Sequence, residues 1–297
     1  MKTDTFSGYH PVVNFLYFAA VLILGMFLMH PVCLAISLIS ALCYSIYLKG
    51  PRAMLFQLKF MLPLLLLTAL LNPLFNHEGA TILRYLKSGN PLTLEAIWYG
   101  IAAAVMVISV ITWFSSCNVV MTSDKFVYLF GKLIPALSLI LSMTLRFVPR
   151  FTAQIKVVTQ AQRCVGRDVS TGTVLQRIKN GLTILSIVIT WALENAIETA
   201  DSMRSRGYGM AGRTAFSIYR LQRRDIYALI FLILASGYVI AGSATGGIYW
   251  QYYPLASGQL TGFYTISVFA VYLALCLMPL MINLWEEVKW KSLTSKI

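Results

Sequence analysis

Charged residues are scarce in this sequence, and acidic residues are the scarcest of them. Only 12% of the 297 residues are charged, whereas 58% are hydrophobic and the mean hydropathy is +0.72. Soluble domains carry roughly a quarter charged residues, so this composition excludes an ordinary soluble protein and indicates an integral membrane protein. The 24 lysines and arginines outnumber the 11 acidic residues. In a membrane protein this excess is more typical of cytoplasmic loops than of nucleic-acid binding, so no nucleic-acid partner is expected.

Paired metal ligands and nucleotide-binding motifs are also missing. The five cysteines include no CxxC pair and the three histidines lie far apart, so neither disulfides nor a metal site is expected. The one Gly-Lys pair, Gly131–Lys132, lacks the upstream glycine and the following hydroxyl of a phosphate-binding loop. HExxH, G-x-S-x-G and nucleophile–base arrangements are absent too. The sequence therefore predicts a protein that is not an enzyme and binds no cofactor of its own.

Long apolar segments dominate what is present. A helix needs about 20 apolar residues to cross the hydrocarbon core of a bilayer. The apolar segment Ile226–Leu284 is divided into two such spans by glycine-containing turns. Four more precede residue 121, and these are Pro11–Met29, Pro31–Leu48, Ala53–Phe75 and Ala96–Val120. The sequence thus predicts an all-α polytopic membrane protein with about six transmembrane helices.

Two further apolar runs, Leu133–Leu145 and Leu182–Leu193, are too short to cross a bilayer comfortably. If neither crosses and the N-terminus lies inside, the outer loops contain only Arg84 and Lys87 of the 24 basic residues. This is a strong positive-inside bias, and a crossing by these runs would place arginine-rich segments outside. We therefore expect both termini and residues 121–225 on the cytoplasmic face.

This topology divides the chain into three parts. Residues 1–120 form an N-terminal membrane domain with four spans, and residues 226–297 form a C-terminal membrane domain with two spans and a short tail. The inner-face region between them, residues 121–225, carries thirteen basic residues against five acidic ones from Arg146 onward. Its apolar residues recur at helical spacing, which predicts long helices with one apolar face each. Such helices should lie along or just inside the membrane.

Both of the long inner-face helices are predicted to end with arginines beside a glycine. The first ends in "AQRCVGRD", residues 161–168, and the second ends in "SRGYG", residues 205–209. Glycine lacks the Cβ that penalises left-handed backbone, so it ends helices readily, and the helix dipole favours a cation there. Charge alone leaves two interpretations open, which are contact with anionic lipid and docking into acidic grooves of a cytoplasmic partner.

Three carboxylates, Glu194, Glu198 and Asp201, share one face of the second helix, and Arg204 follows three residues after Asp201. Such a set could bind a cation or act as general acid and base. Because neither a histidine nor a fourth ligand is near, we favour a polar docking face with an internal ion pair. A separate run of arginines is typical of a solvated, lipid-facing segment, and it consists of Arg213, Arg220, Arg223 and Arg224.

The segments around the two helix ends resemble a known family. "TLRFVPRFTAQIKVVTQAQRCVGRD" and "ALENAIETADSMRSRGYGMAGRTAF" are similar to the two signature segments of the transmembrane T component of energy-coupling factor (ECF) transporters. The similarity covers residues 120–216, and the six-span frame fits the family more loosely. The second segment is the more specific of the two.

The resemblance implies a mechanism and a set of partners. T components belong to ATP-driven importers of vitamins and metal ions in prokaryotic plasma membranes. Two ABC-type ATPase subunits bind and hydrolyse the ATP, and a small membrane protein, the S component, binds the substrate. An X-Arg-X motif at the end of each of two coupling helices inserts into a groove on one ATPase. When ATP closes the ATPase pair, the coupling helices move and the S component reorients.

The resemblance also implies which residues dock the ATPases. Ser205, Arg206 and Gly207 match the second X-Arg-X motif. The first motif falls on Cys164, Val165 and Gly166, so a valine stands where the family carries arginine. Either Arg163 or Arg167 substitutes for it from a neighbouring position, or one ATPase is held by other contacts. The residues expected to support the docking surface are Arg146, Arg150, Glu198, Asp201 and Arg204.

The residues alone also allow a second class of function, that of a self-contained carrier or channel. A self-contained carrier or channel would use the basic inner region to bind anionic lipid. Carriers coupled to protons or sodium usually keep an ionised residue near the bilayer midplane, and the predicted spans contain none apart from Lys59 near one end. An intramembrane enzyme is disfavoured by the missing catalytic groups.

Overall fold

The computed structural model describes residues 4–85, 91–208, 219–259 and 261–294. Across these ranges the protein is all-α, as the sequence predicts, and it contains nine α-helices and two small antiparallel sheets. The helices are α1 (Pro11–Phe27), α2 (Pro31–Lys49), α3 (Pro51–Phe75), α4 (Leu94–Val120), α5 (Ser123–Leu133), α6 (Pro135–Cys164), α7 (Val174–Ser205), α8 (Arg223–Ala244) and α9 (Phe263–Thr294). The strand pairs are β1 (Ile82–Tyr85) with β2 (Pro91–Thr93) and β3 (Trp250–Gln251) with β4 (Ser257–Gly258).

The chain folds into two compact units. The first, called the membrane unit here, combines Met1–Thr122 with Tyr219–Ile297, and the second, the hairpin unit, is Ser123–Ile218. The membrane unit contains α1 to α4, α8 and α9, and these helices cover the six segments that the sequence predicts as spans. The hairpin unit contains α5, α6 and α7.

α1 and α2 begin in the same way, each with a proline that follows a histidine. Proline suits the first helical position because its missing N–H has no partner within the helix there. Nδ1 of His10 accepts a hydrogen bond from the N–H of Val12 at 3.3 Å, and Nδ1 of His30 accepts one from Val32 at 3.2 Å. These two histidines therefore act as helix caps.

α4 occupies the centre of the membrane unit, where it packs against α1, α2 and α3. Small residues let the helices approach closely, as is typical of helices in membranes. A Cβ atom on Gly100 of α4, for example, would lie 2.8 Å from the carbonyl oxygen of Ala69 in α3. The buried Trp113 of α4 donates from Nε1 to the Oγ of Ser37 in α2 at 3.1 Å, so its polar atom keeps a partner.

The N-terminal residues are bound to the last helix. The side-chain oxygen of Asn283, in α9, accepts hydrogen bonds from the N–H groups of Thr5 and Phe6 at 2.9 and 3.1 Å. The amide of the same side chain donates to the carboxylate of Asp4 at 2.6 Å. Asn283 is only 1% exposed, so these bonds are shielded from competing water.

Arg224, at the start of α8, contacts the N-terminal segment while its side chain stays exposed. The sequence groups it with solvated arginines, but its guanidinium lies 5.0 Å from the ring centre of Tyr9 and donates to the carbonyl of Gly8 at 3.2 Å. Its side chain is still 42% exposed, so the expectation of a solvated Arg224 is not contradicted, although the sequence did not predict its contacts with the N-terminal segment. Arg220 and Arg223 are exposed, as expected.

The helices that are long and apolar enough to cross a bilayer are not the same six that the sequence predicts as spans. Among the described residues, α2, α4, α7, α8 and α9 are long and apolar enough to cross a bilayer, while α1 and the Met61–Phe75 part of α3 are shorter apolar helices. The sequence prediction counts α1 and α3 and leaves out α7. α7 qualifies with a mean hydropathy of 1.3, the lowest of the five, because an apolar centre compensates for its charged ends. Its position on the inner face stays a prediction from charge.

Two long helices are present in the region where the sequence predicts them, as α6 and α7, with 30 and 32 residues. The apolar run Leu133–Leu145 is not a separate element. α6 begins at Pro135 and continues through Pro149 to Cys164, so this run supplies the first third of a longer helix.

Candidate functional site

The predicted docking residues lie on a hairpin formed by α6 and α7. Val158, near the end of α6, packs in a buried cluster with Ile184 and Val188, near the start of α7. Phe151, earlier in α6, makes an edge-on contact with Trp191, later in α7, with ring centres 5.8 Å apart. The two helices therefore run antiparallel. We call α6, α7 and the loop between them the α6–α7 hairpin.

The loop of the hairpin, residues 165–173, is organised around Asp168. Nε of Arg163 lies 2.9 Å from Oδ2 of Asp168, and the N–H and Oγ of Ser170 donate to the same carboxylate at 3.0 and 2.6 Å. The hydrogen bonds from Ser170, followed by the charge of Arg163, lower the pKa of the Asp168 carboxyl below its usual value. The side chain of Asn180 in α7 donates to the carbonyl of Asp168 at 2.9 Å. The side chain of Arg163, in the last turn of α6, is thus bound to this loop.

α6 ends in a Schellman motif. The N–H of Gly166 donates to the carbonyl of Arg163 at 3.0 Å, and the N–H of Arg167 donates to the carbonyl of Gln162 at 2.9 Å. Gly166 has φ of +76°, a left-handed conformation that glycine adopts without a Cβ penalty. The glycine that the sequence marks as a helix terminator therefore serves as one.

α7 ends in the same motif. The N–H of Gly207 donates to the carbonyl of Arg204 at 3.0 Å, and the N–H of Tyr208 donates to the carbonyl of Met203 at 3.0 Å. Gly207 has φ of +71°. The hydrogen bonds and the glycine conformation match those of α6 one for one. Gly209, the second glycine of the sequence motif, lies outside the described residues, as does Arg213.

The shared motif fixes which residues of the two helix ends are equivalent. Val165 and Arg206 are the C-cap residues, with φ and ψ of −89° and 11° for the first and −83° and 11° for the second. The sequence alignment of Val165 with Arg206 is therefore also a structural equivalence. Cys164 corresponds to Ser205, and the two cap glycines correspond to each other.

Neither candidate substitute for the missing arginine occupies the C-cap position. Arg163 corresponds to Arg204, two residues before the cap, and its Nε is bound to Asp168. Arg167 corresponds to Tyr208, two residues after the cap, and its side chain is exposed without a bonding partner among the described residues. Val165 itself is 70% exposed, so the first cap presents an apolar side chain to solvent or to a partner.

Arg206 lies at one end of a cleft between α6 and α7. The cleft has a volume of about 450 Å³, and Arg146, Arg150 and Glu198 line it together with Arg206. The structure thus brings four of the predicted site residues together around one cavity. The group at the end of α6 lies at the opposite end of the hairpin, because the two helices run antiparallel.

The carboxylates of α7 do not form a cation site. Glu194, Glu198 and Asp201 are all exposed, and only Glu198 lines the cleft. No group of three potential metal ligands occurs among the described residues. The internal ion pair that the sequence suggests between Asp201 and Arg204 is also not formed, which is in keeping with the small energy of exposed ion pairs.

The sequence reasoning missed two residues that position an arginine of the cleft. NH2 of Arg150 donates to Oδ1 of Asn195 at 2.9 Å, and the guanidinium lies 5.6 Å from the ring centre of Trp191. Trp191 and Asn195 are four residues apart in α7, so they lie on one face of that helix. Their spacing in the sequence could have indicated that they act together, although it does not tell which face of α6 they meet.

Comparison with known proteins identifies the family to which this chain belongs. The sequence model of the CbiQ family, described as "Cobalt transport protein", matches residues 7–216, which is more than half of the chain. The chain belongs to the CbiQ family. This match, with the relatives described next, confirms the resemblance to the T component of ECF transporters. Membership of this family and the long apolar helices both indicate a membrane protein.

Several curated relatives carry the name "Energy-coupling factor transporter transmembrane protein EcfT". The protein of Lactobacillus helveticus is 34% identical over 105 residues, which are 35% of this chain and 38% of that protein. The protein of Lactococcus lactis is 33% identical over 99 residues, 33% of this chain and 37% of that protein. EcfT 1 of Listeria monocytogenes is 33% identical over 106 residues, 35% and 40% of the two chains. The chain thus spans less than half the length of these relatives.

Proposed function

We propose that this protein is the transmembrane coupling subunit of an ATP-driven ECF-type importer. In this role it has no catalytic residues of its own, and two partner ATPases supply the ATP hydrolysis. The observation that carries the proposal is the pair of matching Schellman caps at the ends of α6 and α7. The motif itself is common at helix ends, and what suits two similar partners is that it presents the two aligned residues, Val165 and Arg206, in the same geometry.

The distance between the caps supports two separate partners. α7 has 32 residues, and a helix rises 1.5 Å per residue, so it is about 48 Å long. Because the hairpin is antiparallel, the cap of α6 lies near the start of α7 and the cap of α7 at its end. The two caps are therefore separated by about the length of α7, which is too far for one groove to accept both.

The two caps are not expected to bind equally. Arg206 offers a planar cation at the C-cap position, where the negative end of the helix dipole also stabilises positive charge. Val165 occupies the same position in α6 and forms no ion pair. Arg163 is exposed but paired with Asp168, which leaves Arg167 as the cation of the first cap without an ion pair among the described residues. We therefore assign the main ATPase contact to Arg206 and a weaker contact to the α6 end.

The face of α7 that does not meet α6 is suited to a membrane partner. Exposed apolar residues recur along it at intervals of three or four, and they are Leu182, Leu185, Ile189 and Leu193. In the proposed complex this stripe contacts the S component, which binds the transported substrate. The substrate class, a vitamin or a metal ion, is then a property of the S component.

The proposed location is the plasma membrane of a prokaryote, with both termini and the hairpin unit on the cytoplasmic side. The positive-inside distribution of lysine and arginine supports this orientation. In this orientation the two caps are accessible to soluble ATPases, and Arg84 and Lys87 lie outside.

Purification in mild detergent tests the proposed function against the alternative of a self-contained carrier or channel. A coupling subunit should elute with two ATPase subunits that carry the G-x-x-x-x-G-K-[ST] loop, identified by mass spectrometry. The isolated chain should show no ATP hydrolysis, and the complex should hydrolyse ATP. A chain that elutes alone and conducts or exchanges solute in vesicles without ATP supports the carrier instead.

A further inference from the structure

The cleft of the α6–α7 hairpin is amphipathic. Its apolar lining comes from Met143, Phe147 and Met203, and its basic lining comes from Arg146, Arg150 and Arg206. The other polar lining residues carry hydroxyl or amide groups, and they are Ser142, Thr199, Ser202, Tyr208 and Asn195. A site of this kind can bind a ligand that has an anionic group next to an apolar part.

Two of these arginines are held in place by contacts that leave their charge uncompensated. Arg150 is oriented by its hydrogen bond to Asn195 and by a cation–π contact with Trp191. The guanidinium of Arg146 lies 5.9 Å from the ring centre of Phe147. Neither arginine forms an ion pair with a described residue. Aromatic and amide partners orient a guanidinium without neutralising it, so both groups can still bind a phosphate.

The balance of charge in the cleft favours an anion. Arg146, Arg150 and Arg206 contribute three positive charges, and Glu198 contributes the one negative charge among the lining residues. Arginine is well suited to phosphate because its planar donors bind two oxygens at once. The volume of about 450 Å³ is within the range of ligand-binding pockets, so the cavity exceeds the needs of a single small ion.

We propose that this cleft binds the headgroup of an anionic phospholipid, with the phosphate on Arg146 and Arg150 and the glycerol region over Met143 and Phe147. The apolar lining distinguishes a lipid from inorganic phosphate, which would have no use for it. The exposed Leu145 lies three residues after Ser142 of the lining, and it extends the apolar surface beyond the cleft. These features favour a lipid over an acidic loop of a protein partner.

This inference goes beyond the proposed coupling function and does not depend on the ATPases. It adds a role for Arg146 and Arg150 that is separate from the docking of Arg206. A bound lipid would neutralise the charges of Arg146 and Arg150 and anchor the α6–α7 hairpin to the cytoplasmic leaflet. Arg206, at the end of the cleft, is not part of the proposed lipid contact.

Lipid titration of the purified full-length chain tests the site. The chain in neutral detergent is titrated with short-chain phosphatidylglycerol, short-chain phosphatidylcholine or inorganic phosphate, and bound lipid is counted by native mass spectrometry. We expect saturable binding of phosphatidylglycerol and little binding of the other two. The double variant Arg146→Gln with Arg150→Gln should weaken phosphatidylglycerol binding about tenfold, since it removes two charge-assisted contacts.

A matched control is the double variant Lys156→Gln with Lys179→Gln, which removes two exposed positive charges of the hairpin unit that do not line the cleft. It should bind phosphatidylglycerol like the unchanged chain, and gel filtration should show that both double variants remain monodisperse. Equal lipid binding by the two double variants, or equal binding of both lipids, would overturn the proposal. Preferential binding of inorganic phosphate would replace the lipid with a free anion. If the cleft variant binds lipid normally but loses its ATPases, the cleft is a protein-docking surface instead.

Discussion

At the scale of single residues, the C-cap position separates the two ends of the α6–α7 hairpin. Arg206 and Val165 have nearly the same backbone angles and the same hydrogen-bonded surroundings. Their side chains differ completely, since one is a cation and the other is a small apolar group. Any difference in ATPase binding between the two ends can therefore be assigned to the side chain and not to the backbone.

Restoring the missing arginine tests whether the α6 cap still has a partner groove. Val165→Arg should fold normally, because Val165 is 70% exposed and its φ of −89° is open to any residue. If an acidic groove faces this cap, the new cation should strengthen ATPase retention by about 1 kcal/mol or more. The readout is the salt concentration at which the ATPases dissociate from the immobilised chain.

Val157→Arg is the matched control for this experiment. Val157 is also an exposed valine of α6, at 57%, but it lies away from the cap. A general increase in positive charge would affect both variants alike. A higher salt tolerance in both, or in neither, would contradict a specific groove at the α6 end.

At the scale of elements, both caps depend on a left-handed glycine. A Cβ at Gly166 would meet no atom within 4 Å, so the cost of Gly166→Ala is conformational strain and not collision. That strain is about 1 kcal/mol for a non-glycine residue at positive φ. Gly166→Ala should therefore weaken the cap, and the amides of Gly166 and Arg167 should exchange hydrogen roughly fivefold faster.

Gly181→Ala is the matched control because Gly181 lies inside α7 and a Cβ there also has open space. Alanine is a better helix former than glycine by up to about 1 kcal/mol, so this change should slow exchange across the middle of α7. Opposite effects of the two substitutions are the expected result. The same direction of change in both would show that the glycine at the cap has no special conformational role.

The sequence predicted two long helices and the C-terminal end of each, for local reasons, but it did not predict that the run Leu133–Leu145 belongs to the first of them. Apolar spacing indicates a helix, and a glycine after an arginine-rich turn indicates where it stops. The cleft could not be predicted, because it depends on which face of α6 meets Trp191 and Asn195. That register is a property of two helices packed together, and the spacing within one helix does not encode it. The contacts of Arg224 with Gly8 and Tyr9 could not be predicted for the same reason, since these partners lie more than 200 residues away in sequence.

At the scale of the whole molecule, the charge distribution and the helix lengths give different counts of spans. Length alone admits α7, whereas the positive-inside pattern keeps it on the cytoplasmic side. A single-cysteine probe in a chain whose native cysteines are replaced decides between them. With a membrane-impermeant reagent outside intact cells, position 88 should be labelled and position 170 should not. Labelling at 170 from outside would require a crossing within the hairpin unit.

The central claim is that the protein couples ATPases to transport through the C-cap of α7. Its most direct test is the number of ATPase subunits that co-purify per chain for Arg206→Ala, with Arg223→Ala as the control. Truncating an arginine that is paired and buried at an interface costs about 2–5 kcal/mol, so Arg206→Ala should lose most of the ATPase while inserting normally into the membrane. The control should retain it fully. If Arg206→Ala keeps its ATPases at the level of the control, the assignment of the α7 cap as the principal docking site is contradicted.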